Sequence, residues 1–479
     1  MKTATKIAAV TMCAAVIAAV PAFAGCNSQP YVTSIAKSSS EGLQDTYTVY
    51  YSDGSTSQFT VTNGSDGVSA DDLYEKYKEE SGEDLTYEEF LEKYLTVENG
   101  NTASVINYSL QSCLKIYTEF VETTYSQGMW GQINVNSDTA VYTGSAVIYD
   151  IDTITDGYTY LVTNYHVVYD SNANPEKNGG SKVARKIYGY LYGSESTPVS
   201  TGKGADGYTQ YSYGDYGIEL EYVGGSVEND IAVLRVETED IKAVNENIKA
   251  VTLADGYYVG ETAIAIGNPE GSGLSVTQGI ISTENENISL NIDGTLRYYR
   301  SLRIDTALYS GNSGGGLFNA NGELIGITNA GDGSDQNINY AVPLEIVTGV
   351  ADNIIYHAND GDDSTEGLNS VTFGVTVSIS NSKYVYDSSV GYGKIVETVN
   401  VESVSSGSIA DEVGIEDSDI IKAVIINGEQ KDVLRSFNLS DIAMTLRPGD
   451  KIQFVAERGG STVTTATHTI VSSDFTKVS

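Results

Sequence analysis

The chain is expected to be mainly β, with antiparallel barrels or sandwiches over residues 102–350 and a smaller mixed unit over 370–474. Three observations lead there. Between 102 and 350, Val, Ile, Tyr and Thr form short runs cut by Gly, Asn and Asp, with almost no helical period, as half-buried strands joined by turns require. Residues 357–369 then lose nearly all apolar content and read as a linker. Beyond it, strand patterns alternate with two short helical stretches. A length of 479 residues with 40% hydrophobic content suits two or three domains with buried cores. The division expected is 1–25, 26–101, 102–352, a linker at 353–369, and 370–479.

The first 25 residues read as an export signal. Lys2 and Lys6 precede an apolar run from Ile7 to Val20, which is short for a membrane span. Two cleavages compete. Ala22-Phe23-Ala24 fits ordinary secretory processing, whereas Phe23-Ala24-Gly25-Cys26 resembles a bacterial lipobox, with Cys26 as the lipid-bearing first residue. Of Cys13, Cys26 and Cys113, the last is left without a partner if Cys26 carries lipid. Its apolar neighbours Leu110, Leu114 and Ile116 favour a buried structural thiol over a nucleophile.

Residues 26–101 read as a membrane-proximal spacer, or as a docking module for a partner. Tyr47, Val49 and Tyr51 alternate, Asp53-Gly54 turns the chain, and Phe59 and Val61 alternate on the return, which is a hairpin pattern. Ser69 with Asp72 and Thr86 with Glu89 look like capping pairs of two short helices.

A net charge of −37, from 64 acidic and 27 basic residues, argues against nucleic acid and against adsorption to anionic lipid, since little is present to neutralise phosphate. No dense ligand loop for a metal is seen, and the acidic loop Asp332–Asp335 reads as solvated. No metal, nucleotide or organic cofactor is expected.

Three segments carry chemistry: Leu161–Val168 with His166, Glu228–Val236 with Asp230, and Ser310–Phe318 with Ser313. Each sets one polar residue at the edge of an apolar strand, where a rigid scaffold meets a cleft. A serine hydroxyl needs a base to take its proton. Imidazole, with an unperturbed pKa of about 6.5, suits that task, and a buried carboxylate holds it in one tautomer. Backbone N–H groups must then face the oxyanion, and the glycines of Gly311-Asn312-Ser313-Gly314-Gly315 let the chain turn tightly enough to present them. Histidine is scarce: of His166, His357 and His468, only His166 ends an apolar strand within the barrel-like region.

These segments resemble the trypsin-like fold in its HtrA/Deg form, with the same His, Asp, Ser order. The likeness extends to Ala263–Pro269, Ser275–Ser282, Arg303–Ala307, Asn321–Gly326 and Ile338–Pro343, and so covers roughly 102–350. It implies a double antiparallel β-barrel with His166 and Asp230 on the first barrel, Ser313 on the second, and an oxyanion hole from the Gly311 and Ser313 N–H groups. In that fold Ala307, six residues before the nucleophile, lies at the base of the specificity pocket. With no acid there, cleavage after small aliphatic residues is expected, with Asp305 the main risk because a strand would put it on the same face. Two departures stand out: a Tyr/Gly/Ser-rich insertion over about 170–218, read as a loop over the cleft or a subunit contact, and Gly316 where the family commonly has Pro, which loosens the turn after the serine.

Residues 370–474 resemble a PDZ domain, a small α+β unit. Val371–Val375 looks like its carboxylate-binding loop, giving Phe373, Gly374 and Val375 as peptide-binding residues, and Ser406–Ile415, Asp419–Ile421, Ile426–Gly428 and Leu446–Asp450 follow in order. Such a domain adds a peptide C-terminus to a sheet edge; the alternative is a packing domain without ligand. The resemblance implies a serine endopeptidase acting on unfolded or damaged exported proteins through an acyl-enzyme, in protein quality control at a bacterial cell envelope. It also implies a homotrimer. The rival reading is a latent protease that serves as a chaperone or peptide sensor through its PDZ domain.

Overall fold

The computed structural model describes residues 32–41, 44–51, 55–62, 102–127, 132–152, 157–332, 335–361, 367–387 and 391–478. The export signal, Cys26 and the two helices read over 69–95 lie outside them. The chain forms two compact units that divide after Thr96.

In the first unit, β1 (Val32–Glu41), β2 (Gln44–Tyr51) and β3 (Thr56–Thr62) make an antiparallel sheet in that order. Tyr47 pairs with Phe59, as the hairpin pattern requires; the preceding strand was not legible.

The second unit opens with α1 (Thr102–Ser109). Then β4 (Cys113–Gln127), β5 (Ile133–Ile151), β6 (Tyr158–Thr163), β7 (Lys186–Leu191), the hairpin β8 (Val199–Lys203) and β9 (Thr209–Ser212), β10 (Ile218–Ser226) and β11 (Ile231–Glu237) follow. Six of these close a barrel in the order β10-β11-β6-β5-β4-β7. The segment read as an insertion over 170–218 therefore contains a barrel strand, β7, masked in sequence by its tyrosines. Tyr190 is fully buried and its hydroxyl donates to Tyr213 O at 2.6 Å.

The apolar runs in β5, β6 and β11 are continuous because both faces are covered. Ala146, Ile148, Leu161, Ala232 and Leu234 fill the first barrel. Their alternates Val147, Val162, Ile231 and Val233 pack with residues of the second. Each of the Val, Leu and Ile side chains among them contributes roughly 1.5–3 kcal/mol by burial.

The second barrel uses β12 (Thr252–Leu253), β13 (Thr262–Gly267), β14 (Ser275–Asn291), β15 (Leu296–Ile304), β16 (Gly316–Phe318), β17 (Glu323–Asp332) and β18 (Asp335–Pro343). Pairing of β17 with β18 closes six of them, and β12 adds at the edge. The mainly β, double-barrel expectation holds.

A helix, α2 (Leu344–Ala358), follows β18 and buries Val347, Val350, Ala351 and Ile354. It runs through the first six residues of the segment expected to be linker from 353. The reason is the apolar spacing of Val347, Val350, Ile354 and Ile355, which continues past the charged Asp352. Asn353 is fully buried; its amide donates to Asn369 O and Met444 O and its carbonyl accepts the Asn369 N–H. His357 is also buried, on Asp360 at 3.0 Å.

The C-terminal part contains β19 (Leu368–Val371), β20 (Val375–Asp387), β21 (Tyr392–Val404), α3 (Ile409–Val413), β22 (Ile420–Ile426), β23 (Glu429–Asp432), α4 (Asn438–Thr445), β24 (Lys451–Arg458), β25 (Ser461–Thr464), β26 (His468–Thr469) and β27 (Phe475–Val478). Its main sheet runs β20-β21-β22-β24-β25, so β20 lies at an edge. Arg300 on β15 spans to Asp441 on α4 and Glu345 on α2, each at 2.6 Å, tying this part to the second barrel. Burial lifts the Asp441 carboxyl to about 6 against the pull of Arg300.

Candidate active site

The register of the first barrel brings two of the three polar residues together. Thr163 of β6 pairs with Ala232 of β11, so the chain leaving β6 and the chain entering β11 meet at one barrel end. His166 lies three residues past that pair on a single helical turn, Tyr165–Val168. Asp230 lies two residues before it, fully buried, at φ 51°. This left-handed conformation costs a non-glycine residue on the order of 1–3 kcal/mol, and the bonds it makes possible offset that cost.

Those bonds fix the imidazole. Asp230 Oδ1 accepts the His166 backbone N–H at 2.9 Å and Oδ2 faces His166 Nδ1 at 2.8 Å. Asn329 Nδ2 donates to the same Oδ2 at 2.8 Å. The carboxylate is thus satisfied inside the protein. Burial alone lowers the His166 pKa, but the Asp230 charge and hydrogen bond outweigh it, and the net shift is upward. An imidazole can take up a proton only while it is neutral. Activity is therefore expected to fall with decreasing pH through a midpoint above the ordinary value of about 6.5. A kcat/KM profile measures this; a midpoint at or below 6.5 would contradict the coupling to Asp230.

Ser313 sits in the turn three residues before the second barrel's β16, across the same cleft. His166, Ser313, Gly311, Asn329, Thr143 and Leu290 are among the residues lining a cavity of about 460 Å³. In this arrangement the Ser313 hydroxyl donates to Asn329 O at 2.8 Å. It does not bond His166. Both side chains line the same cavity, and catalytic hydrogen bonds of this kind often form only with substrate bound.

The glycines around Ser313 have particular tasks. Gly311 is at φ 97°, and a Cβ there would lie 2.3 Å from Asn268 O. Ser310 O, on the peptide before it, accepts the Glu270 N–H at 2.6 Å. In a trans peptide C=O and N–H point oppositely, so the Gly311 N–H faces away from Glu270. Neither it nor the Ser313 N–H has a partner among the described residues. Gly316 does not leave the following turn loose, as the missing proline implied: it is a buried β16 residue paired with Ile266 and Ile327. A Cβ there would sit 2.4 Å from the Phe318 ring.

Two asparagines that sequence reading passed over complete the site. Asn164 donates to Asp230 O at 2.9 Å and accepts the Gly314 N–H at 2.7 Å, so one buried amide joins both barrels. Asn329 contacts Asp230 and Ser313 at once. Their only local signal is a polar side chain inside an apolar run, one just before His166 and the other within β17.

Ala307 is half-buried, with its carbonyl on the Thr277 hydroxyl at 2.8 Å. Asp305 is exposed and accepts the Ile280 N–H at 2.7 Å, so its carboxylate is engaged on β14. Of the insertion, Asp170 and Ser171 reach the cleft. Cys113 is buried, and burial drives its thiol pKa far up. In the C-terminal part, the Phe373 ring packs edge-on against Phe454 at 5.2 Å and belongs to the core. The N–H groups of Phe373 and Gly374 have no partner among the described residues. Val375 opens edge strand β20.

Residues 144–327 match the trypsin-like peptidase domain family. The chain is 29% identical over 318 residues to "Serine protease Do-like HtrA" of Lactococcus lactis subsp. lactis (strain IL1403), covering 62% of this chain and 65% of that protein. It is 29% identical over 311 residues to "Probable periplasmic serine endoprotease DegP-like" of Rhizobium meliloti (strain 1021), covering 64% and 50%. Among solved structures, "HtrA-type protease AlgW with decapeptide" aligns over 77% of this chain and 99% of that one at 25% identity, with a TM-score of 0.44. The chain thus spans about half to two thirds of the length of these two curated relatives. Two closed barrels with this cleft between them define a trypsin-like peptidase domain. Within that class the chain is similar to proteins of the HtrA/Deg type.

Proposed function

We propose that the protein is a serine endopeptidase of the HtrA/Deg type that cuts unfolded or damaged exported proteins through an acyl-enzyme on Ser313. The observation that carries this is the cleft itself, where a carboxylate-held imidazole, a serine and two unpartnered N–H groups face one space. His166 takes the Ser313 proton as Oγ attacks the scissile carbonyl. The oxyanion settles on the Gly311 and Ser313 N–H groups. His166, now charged and steadied by Asp230, protonates the leaving amine. Water repeats the sequence to free Ser313.

Ala307 forms the floor of the pocket for the residue before the cut, which takes small aliphatic side chains. The C-terminal part acts as a PDZ domain: Phe373, Gly374 and Val375 hold a peptide carboxylate, and the peptide pairs with the β20 edge. The protein works as a homotrimer at the bacterial cell envelope, anchored through lipid on Cys26. A second reading, a latent protease acting mainly as a peptide sensor, has one observation in its favour: the Ser313 hydroxyl bonds Asn329 O instead of His166.

One experiment tests both. Casein digestion is expected in the membrane fraction, moving to the soluble fraction with Cys26→Ser and disappearing with Ser313→Ala while C-terminal peptide binding persists. Most cuts should follow Val, Ala or Ile. Peptide binding without casein cleavage by the unaltered protein would favour the second reading. A majority of cuts after Lys or Arg would show that the pocket has been misassigned.

A further inference from the structure

An oxyanion hole depends on the direction of its peptide N–H groups, and at a glycine that direction is free unless something pins it. At Gly311 two planes must be held. The 310–311 peptide is held by Glu270 N–H on Ser310 O at 2.6 Å. The 311–312 peptide is held by Ser145, whose hydroxyl donates to Gly311 O at 2.8 Å. That hydroxyl also accepts the Asn268 N–H at 2.9 Å, and the Ser145 backbone N–H donates to Ser313 O at 2.9 Å. Ser145 is 1% exposed, so water does not replace these bonds.

The turn carrying Glu270 is itself braced. Asn268 Nδ2 donates to the Thr143 hydroxyl at 2.6 Å, and its carbonyl takes the Gly273 N–H at 2.9 Å. The Lys115 ammonium, 2% exposed as a residue, donates to Gly271 O at 2.8 Å. Ser145, Lys115 and Thr143 all lie on β4 and β5 of the barrel that carries His166, while Gly311 belongs to the other barrel.

We propose that Ser145 is a positioning residue for the oxyanion hole, its hydroxyl locking the Gly311 peptide to the barrel that carries the base. The inference rests on the serine-peptidase reading. Without the hydroxyl, Gly311 O and the Asn268 N–H lose a buried partner, the 311–312 peptide is no longer fixed, and only the Glu270 bond to Ser310 O is left to aim the Gly311 N–H into the cleft. Ser145 touches no reacting atom, and His166 and Asp230 stay as they are.

The test uses the full chain with Ser145→Ala, a peptide amide substrate with Val before the cut, and two matched ligands. One is a peptide aldehyde, whose hemiacetal oxygen on Ser313 occupies the hole. The other is a reduced-amide peptide with no oxygen there. Losing one oxyanion donor outright costs about 10²–10³ in kcat, so loosening it is expected to cost about 10- to 100-fold. KM should stay within about twofold. The aldehyde should weaken by the same factor as kcat/KM, and the reduced-amide peptide and the acid limb of the pH profile should not move. If Ser145→Ala does not fold, Ser145→Cys keeps the size with a much weaker donor and is read the same way. Unchanged kcat, equal weakening of both ligands, or a shifted acid limb would overturn the proposal. An unaltered protein with no turnover and no reaction at Ser313 would instead overturn the peptidase reading on which it rests.

Discussion

Ser313→Ala and His166→Ala are each expected to abolish turnover, on the scale of 10⁶-fold in kcat, and the double substitution to be little worse than either alone. Nucleophile and base act as one unit, and a hydroxyl without its base is about as inert as no hydroxyl. The fold should survive both changes. Ser313 anchors its loop through its backbone carbonyl on Ser145 N–H, and its side chain gives up only the bond to Asn329 O, about 1 kcal/mol. In His166→Ala, Asp230 keeps the backbone N–H of residue 166 and the Asn329 amide, so the buried carboxylate is not stranded. Initial rates with a peptide substrate and thermal unfolding of the three variants check this. Losses that multiply in the double variant would show that the two residues act independently.

Asp230→Asn is expected to keep the fold and lower turnover by about 10⁴-fold. Three N–H groups converge on Asp230: the His166 backbone on Oδ1, and the His166 ring and Asn329 Nδ2 on Oδ2. An amide has one acceptor oxygen to offer. With that oxygen on the backbone N–H, its NH₂ faces His166 Nδ1, which must then be an acceptor. The ring proton moves to Nε2, and the nitrogen facing Ser313 can no longer take a proton. Asn329 must also turn or lose its bond, adding roughly 1–3 kcal/mol of destabilisation. The acid limb of any residual activity should shift to lower pH, because the charge that raises the His166 pKa is gone. Near-normal rates would mean that another acid orients His166. The structure makes Asp305 a poor substitute, since it is exposed and bound to the Ile280 N–H.

The barrels and the three polar residues were legible because their signals are local. Leu161–Val168 and Glu228–Val236 show a strand and its catalytic-type end in one stretch. The residues that organise the site were not, because their partners are far away in sequence. Ser145 meets Gly311 across 166 positions and Asn164 meets Gly314 across 150, and a serine or asparagine at a strand end looks like any turn residue. The φ of 51° at Asp230 has no sequence signature either. At the boundaries, Ile354 and Ile355 extend α2 into a segment that reads as linker once Asp360-Gly361-Asp362-Asp363 dominates the window. Tyrosine-rich β7 likewise reads as part of an insertion, because tyrosine serves both barrel cores and loops.

The central claim is that His166 activates Ser313, and one measurement meets it directly. The purified protein is treated with a peptidyl fluorophosphonate bearing Val at the reactive end, and its intact mass and labelled peptides are recorded. The account predicts a single adduct, located on Ser313, whose rate of formation falls at least a thousandfold in His166→Ala. Labelling of another residue, or labelling of Ser313 at an unchanged rate without His166, would contradict it.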